Sequence, residues 1–327
     1  IKGLLDPVAQ ARMTCGEALT NLMFARISGL KDVKASGNWM WAAKLEGEGA
    51  KMWHACKALR DCLLELGPGI DGGKDSLSMA AQVDGEIVKS PGELSMTLYV
   101  TCPDITLTVT PDLKPSSDES LLLYIDLGMC KNRMGGTAFS TVFGQLGDTS
   151  PSLDNAPLFV NAFETMQSLL DQRVILAGHD RSDGGLLICV MEMGFAGNCG
   201  FDLHLHNDED EVDSIDTEDN SLMSNPSGMM SLLFSEELGF VLQVLPVHET
   251  FVLSAFQGKN VPCTRIGSTR ASGDLGLSVS YKNRVVYEST VPLARDIWES
   301  TSFELEKLQC NPQCVEQERE HLLSGKS

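Results

Sequence analysis

The chain has 327 residues, enough for one large or two ordinary domains, and 43% of them are apolar, enough for a well-buried core. A net charge of −20 argues against nucleic acid as a partner, which would need a basic face, and no apolar run is long enough to span a membrane. Ten scattered cysteines without a CxxC fit free thiols in a reducing, cytoplasmic compartment better than a disulfide framework or a zinc site.

The opening "IKGLLDPVAQ" starts on Ile1 and resembles no signal peptide, so the chain reads as a piece of something longer. Asp6 and Pro7 predict a capped helix over 6–27, with Val8, Ala11, Cys15, Ala18 and Leu22 as its apolar stripe and Glu17 and Asn21 together on the flank. "KDVKASGNWMWAAK" (31–44) reads as a loop with a buried aromatic anchor, base stacking being the competing role for its tryptophans. A helix through "KMWHACKALRDCLLELG" follows, then the glycine-rich "GIDGGKDSLSMAAQ" and two strand-like runs, "LSMTLYVTC" and "DITLTVT". "PDLKPSSDES" (111–120) is the best boundary.

Beyond it come the strand "LLLYIDLG", the turn "MGGTAFS", and a helix over 156–172 with Phe159, Phe163, Met166 and Leu170 at helical spacing. The strand "VILAG", the loop "GHDRSDGG", another helix and "GFVLQVLP" complete an alternation that reads as α/β or α+β. The segment 207–230 carries eight acidic residues and no basic one, which reads as a solvated, disordered loop or an acidic protein-binding site. From "ESTSFELEKLQCNPQCVEQERE" onward the chain reads as a charged connector.

Three places carry candidate chemistry. Glu17 and Asn21, four apart on a helix, suit either a hard cation or an ordinary polar face. Asp180 and Asp183 form a second acidic pair, with capping of the next helix by Ser182 or Asp183 as the plain alternative. Glycine inside a helix costs about 1 kcal/mol, so Gly184 and Gly185 predict close approach of a phosphate to the helix start. "DGGKDSLS" (71–78) suits either an anion cradle or a tight turn before a strand; it lacks the Walker A spacing. His179, next to Asp180, suits acid–base work or, more commonly for a histidine at a strand end, a packed or hydrogen-bonded structural place. No nucleophile elbow is present.

Taken together, "GEALTNL", "DVKASGNWMWAAK", "DGGKDSLSMAA", "CPDITLTVTPDLK", "GHDRSDGG", "EMGFAGNCG" and "FSEELGFVLQV" resemble, in order, the large animal-type phosphoribosylformylglycinamidine synthases of purine biosynthesis. The resemblance implies the C-terminal half of a synthetase core with a two-domain, aminoimidazole-ribonucleotide-synthetase-like architecture. It implies a truncated nucleotide-binding domain over 1–113, a second α/β domain over 114–304 with the acidic insertion 207–230, and a connector over 305–327 toward an absent glutaminase. The implied activity is ATP-dependent conversion of formylglycinamide ribonucleotide to its amidine through an iminophosphate, with ammonia derived from glutamine. The implied cofactors are Mg²⁺ and ATP, with ADP at an auxiliary, pseudo-symmetric site.

By the same resemblance Glu17, Asn21 and Asp180 are magnesium ligands, Ser182 a nucleotide contact, and Asp32 and Gly73 further nucleotide-binding residues. Lys74, Asp75 and Ser76 position substrate and phosphate. Lys74 stands where the short form of the family has a metal-binding asparagine, so contact with phosphate is implied for it. A further aspartate that completes the family's magnesium set lies upstream and is missing, as is the N-terminal synthetase half. The competing functions are a non-catalytic homologue serving as a nucleotide-binding or scaffold module, and another ATP-using member of the superfamily such as aminoimidazole ribonucleotide synthetase. Retention of both "DGGKDS" and "HDRSDGG" speaks against the first, and "SGNWMWAAK" against the second.

Overall fold

A computed structural model describes residues 1–115, 119–206 and 226–324. After a single turn, α1 (Lys2–Leu5), Asp6 accepts hydrogen bonds from the backbone N–H groups of Val8 and Ala9 at 2.8 and 3.2 Å. This is the expected cap of α2 (Pro7–Leu22), which ends about a turn before residue 27. Its buried side runs through Ala11, Cys15 and Leu19, flanked by Ala9, Met13 and Gly16. Val8 is exposed and Ala18 and Leu22 are half-buried, so the expected stripe is displaced.

The stretch expected as a loop is a strand, β1 (Lys34–Met40). After α3 (Glu48–Leu66), the glycine-rich stretch is also a strand, β2 (Gly69–Ser76), rather than a turn before one. An exposed hairpin, β3 (Ala80–Val83) and β4 (Glu86–Lys89), leads to β5 (Glu93–Tyr99). These make a small sheet in the order β2-β1-β5, parallel between β1 and β2 and antiparallel between β1 and β5. "DITLTVT" forms one 3-10 turn, Ile105–Leu107, instead of a strand. Trp39 and Trp41 are 9% and 1% exposed and pack with α2 and α3, so the aromatic-anchor reading holds.

The indole N–H of Trp41 donates to buried Glu48 at 3.1 Å. Lys89 above all, with Lys51, holds the Glu48 carboxyl below its ordinary range against the upward pull of burial. A depressed carboxyl contributes stability above its unfolded value, near 4.5, and loses it as pH falls through the folded value. The stability gap between the wild type and Glu48→Gln is therefore expected to be largest at neutral pH and to close on acidification. Urea titrations at a series of pH values would detect it, and a pH-independent gap would refute it.

The larger sheet begins with β6 (Leu121–Asp126). It is followed by α4 (Ala138–Val142), α5 (Ala156–Asp171), β7 (Ile175–Asp180), α6 (Gly185–Gly197) and β8 (Phe201–Leu205). Then come α7 (Pro226–Phe234), β9 (Gly239–Val244), α8 (Glu249–Gln257), β10 (Cys263–Thr269), β11 (Gly276–Tyr281) and β12 (Arg284–Thr290). The sheet order is β12-β11-β8-β10-β6-β9-β7, antiparallel except for β8 with β11. β6 and β9 are buried throughout, because helices cover both faces. Leu121, Leu123 and Ile125 point to a cluster with Phe159, Phe163, Met166 and Leu170 of α5, while Leu122 and Tyr124 point to a second with α6.

The architecture is thus mixed α and β, as expected. Leu113, at the expected boundary, is buried in the second cluster. Of the acidic insertion, 207–225 lies outside the described residues, while 226–230 belong to α7. The expected connector is helical over α10 (Pro312–Leu323) and packs on α9 (Val291–Glu306), with Arg319 paired to Asp296 at 2.6 Å. Among the described residues no helix is long and apolar enough to cross a membrane.

Candidate functional site

β7 ends on Asp180, and the glycines around it answer to the protein itself. A Cβ on Gly178 would lie 2.5 Å from the ring of Phe24, which packs over the strand. Gly184 and Gly185 have φ of +85° and +77°. A Cβ on Gly185 would stand 2.7 Å from the backbone of Phe234, and one on Gly184 2.6 Å from Ile188. Left-handed backbone and close packing therefore account for both glycines, without the phosphate that the sequence invited. Neither Ser182 nor Asp183 caps α6: Gly184 occupies the cap position, with no side-chain hydrogen bond there.

The last turns of α2 lie against the end of β7. Asp180 is 6% exposed, and its Oδ2 accepts from Thr20 Oγ1 at 3.1 Å and from Asn21 Nδ2 at 3.3 Å. Asn21 Nδ2 also donates to the Glu17 carbonyl at 3.0 Å. Glu17 is exposed as a residue, yet its carboxyl is pushed up from its ordinary value by partial burial and then by Asp183, with Asp180 and Glu236 adding to it and Lys2 opposing. Residues 17, 21 and 180, some 160 positions apart in the chain, thus converge. Among the described residues no three His, Cys, Asp or Glu side chains form a ready metal cluster; the oxygen set here is two carboxylates and an amide. A hard divalent cation fits that chemistry, since the carboxylates crowd closely enough to push Glu17 up even with Lys2 opposing and His179 beside Asp180, and such crowding favours further positive charge.

His179 is half-buried, its Nδ1 donating to the Asp180 carbonyl at 2.7 Å while Nε2 lies 3.5 Å from Glu192. Burial opposes its charge, but Asp180 and Cys189 outweigh burial and raise the imidazole to about 11. It is held as a packed, structural cation rather than as a proton shuttle near neutrality.

Gly73, Lys74, Asp75 and Ser76 lie on β2, with Lys74 and Asp75 exposed, and Lys74 Nζ donates to Ser76 Oγ. A Cβ on Gly73 would sit 2.1 Å from the Gly37 carbonyl, so strand pairing demands that glycine too. Asp32 is in a 3-10 turn before β1, whereas Ser76 is paired with Met40 at its far end. At about 3.3 Å per residue the two ends of β1 are roughly 20 Å apart, so Asp32 and Ser76 do not share one small site.

Sequence reasoning passed over two acids, Glu236 and Glu237. Both are buried, at 2% and 0% exposed. Glu236 Oε1 accepts from Gly184 N at 2.9 Å and Ala138 N at 2.7 Å, and its Oε2 pairs with Lys2. Glu237 is gripped by Arg133 through Nε and Nη2 at 2.6 and 2.8 Å. Adjacent acids between two apolar runs, "SLLF" and "LGFVLQV", were the available signal, because buried carboxylates need partners.

Comparison with known proteins gives this geometry a setting. Residues 1–101 match the family described as FGAR-AT PurM_N-like domain, and residues 119–280 match AIR synthase related protein, C-terminal domain. A relative from Arabidopsis thaliana, named probable phosphoribosylformylglycinamidine synthase, chloroplastic/mitochondrial, is 48% identical over 98% of this chain and 22% of its own length. The Homo sapiens phosphoribosylformylglycinamidine synthase is 45% identical over 98% of this chain and 23% of its own. Among solved structures, T. maritima PurL complexed with FGAR superposes with a TM-score of 0.59 at 12% identity, covering 88% of this chain and 43% of that one. The hydrogenase maturation protein HypE in complex with ATP gives 0.56 at 14% identity, covering 85% and 79%. The chain therefore belongs to the phosphoribosylformylglycinamidine synthase family and spans between a fifth and a quarter of the length of these relatives.

Proposed function

We propose that this chain is part of an ATP-dependent carbon–nitrogen ligase that makes formylglycinamidine ribonucleotide, and that its own share is a magnesium–nucleotide clamp. The observation that carries this reading is the convergence of Glu17 and Asn21 on Asp180. In the ligase reaction the amide oxygen of formylglycinamide ribonucleotide takes a phosphoryl group from ATP and leaves as phosphate when ammonia forms the new C–N bond. Phosphoryl transfer depends mainly on positioning and charge neutralisation. Glu17, Asn21 and Asp180 would hold Mg²⁺, which when bound offsets the polyphosphate charge. Ser182, directly after the clamp aspartate and Arg181, is the nucleotide contact in this reading. Lys74, Asp75 and Ser76 serve substrate and phosphate from β2, with Gly73 and Asp32 as nucleotide contacts.

The partners in this proposal are the remaining synthetase half and the glutaminase that releases ammonia from glutamine. The sites called catalytic and auxiliary are two, and the clamp is assigned to the auxiliary one, holding ADP. Ten free cysteines support a reducing, cytoplasmic address. The match to named synthases over 98% of this chain favours the ligase over a scaffold module.

Calorimetry on the complete polypeptide tests the clamp. Magnesium-dependent ADP binding is expected, and Asp180→Ala should weaken it by more than the roughly 10- to 100-fold that loss of an outer-shell partner costs. Binding unchanged by Asp180→Ala would remove this reading of the loop.

A further inference from the structure

We infer that Glu236 is a positioning residue of the clamp: a built-in anion that closes the amino terminus of α6 and fixes the loop from Asp180 to Gly185. A helix begins with N–H groups that have no partner in the helix, and its dipole favours negative charge there. The loop answers Gly185 N with the Ser182 carbonyl at 3.0 Å, but Ser182 and Asp183 offer no side-chain cap, and the cap residue, Gly184, has no side chain. Glu236 supplies it from 52 residues away, its Oε1 2.9 Å from Gly184 N. The same oxygen receives Ala138 N at 2.7 Å, and Oε2 pairs with Lys2. One buried carboxylate therefore ties together α1, the start of α4 and the start of α6.

The segment that carries it is also the floor of the loop. The Phe234 backbone abuts Gly185, and two residues on Glu236 binds Gly184. With Gly184 N taken by Glu236 and Gly185 N by the Ser182 carbonyl, the first amides of α6 are not free to serve as the anion seat that helix starts often provide. A bound polyphosphate must then be held through the cation at Asp180 and through contacts such as Ser182. Glu236 touches none of these reacting groups; it acts by holding the backbone that carries them.

The functional consequence rests on the clamp reading, whereas the role of Glu236 as the anion of α6 rests on geometry alone. The complete polypeptide is titrated with Mg-ADP, with Asp180→Ala as the reference for this site. Glu236→Ala is expected to lose about 10- to 100-fold in affinity, as outer-shell partners do. Glu236→Gln, which keeps an acceptor oxygen, is expected to lose less. Added formate, a carboxylate small enough for the vacated space, should restore both affinity and thermal midpoint to Glu236→Ala while leaving the wild type unchanged. A general packing defect would not answer to formate. If Glu236→Ala folds only with formate present, that also supports the role.

The inference is overturned if Glu236→Ala binds Mg-ADP as tightly as the wild type or more tightly, the latter meaning that the carboxylate had been competing with phosphate. It is overturned equally if formate restores neither property. Should Asp180→Ala leave Mg-ADP binding unchanged, the clamp reading fails instead, and formate-dependent recovery of the thermal midpoint still decides the role of Glu236.

Discussion

Glu237→Ala is expected to destabilise the folded chain by about 3–5 kcal/mol, the usual cost of removing one member of a buried ion pair. Glu237 has no exposed side-chain surface, and it receives the Arg133 backbone N–H at 3.1 Å as well as two guanidinium donors. Arg133, 15% exposed at its side chain, would keep Asp154 and the Ser152 carbonyl but lose its bidentate partner. The backbone turn at Gly128 packs over the Glu237 side chain so closely that a Cβ there would lie 2.5 Å from it, so truncation also opens a void. Urea denaturation with an unchanged m-value would read the loss. A cost below about 1 kcal/mol would mean that the pair is solvated like a surface bridge. Replacing both partners with apolar residues of similar volume should recover much of the loss, because the penalty comes from the stranded charge.

Where sequence was informative, it was because local chemistry and tertiary packing agreed. Asp6 and Pro7 set the start of α2 whatever surrounds them, and the two-sided burial of β6 and β9 shows in runs that are apolar except for Asp126 and Gln243. β1 and β2 escaped notice for the opposite reason. Ser36, Gly37 and Asn38 in one, and Gly69, Gly72 and Gly73 in the other, have poor strand propensity, and pairing between the two creates the strands. That pairing brings Gly73 against the Gly37 carbonyl, a contact no local pattern encodes.

The site divides in the same way. Spacing put Glu17 and Asn21 on one flank of α2, but the partner lies on β7, and only the resemblance joined Asp180 to them. The glycines of the loop do mark close approach to the backbone, and Phe24, Ile188 and Phe234 are side chains and backbone that approach it. The burial of Glu236 was legible in its apolar flanks, but its partners, Gly184 N, Ala138 N and Lys2, come from three distant segments and were not.

Gly185→Ala should consequently be the most damaging small change in the loop. Alanine in left-handed backbone costs about 1–2 kcal/mol. Overpacking against backbone that cannot rotate away adds about 1–3 kcal/mol, and here the obstructing atoms are the Phe234 Cα and carbonyl carbon at 2.7 Å and the Leu233 carbonyl at 2.8 Å. Gly273 separates the two contributions, since its φ is +91° with nothing within 4 Å of an added Cβ. Gly273→Ala should carry only the conformational cost, and should leave Mg-ADP binding untouched. Gly185→Ala should cost more in urea denaturation and also weaken Mg-ADP, because relief of the clash has to move Phe234 or the loop, and with them the bond from Gly184 to Glu236. Equal stability losses for the two alanines would show that the segment carrying Phe234 gives way freely and that the loop is not rigidly seated on it.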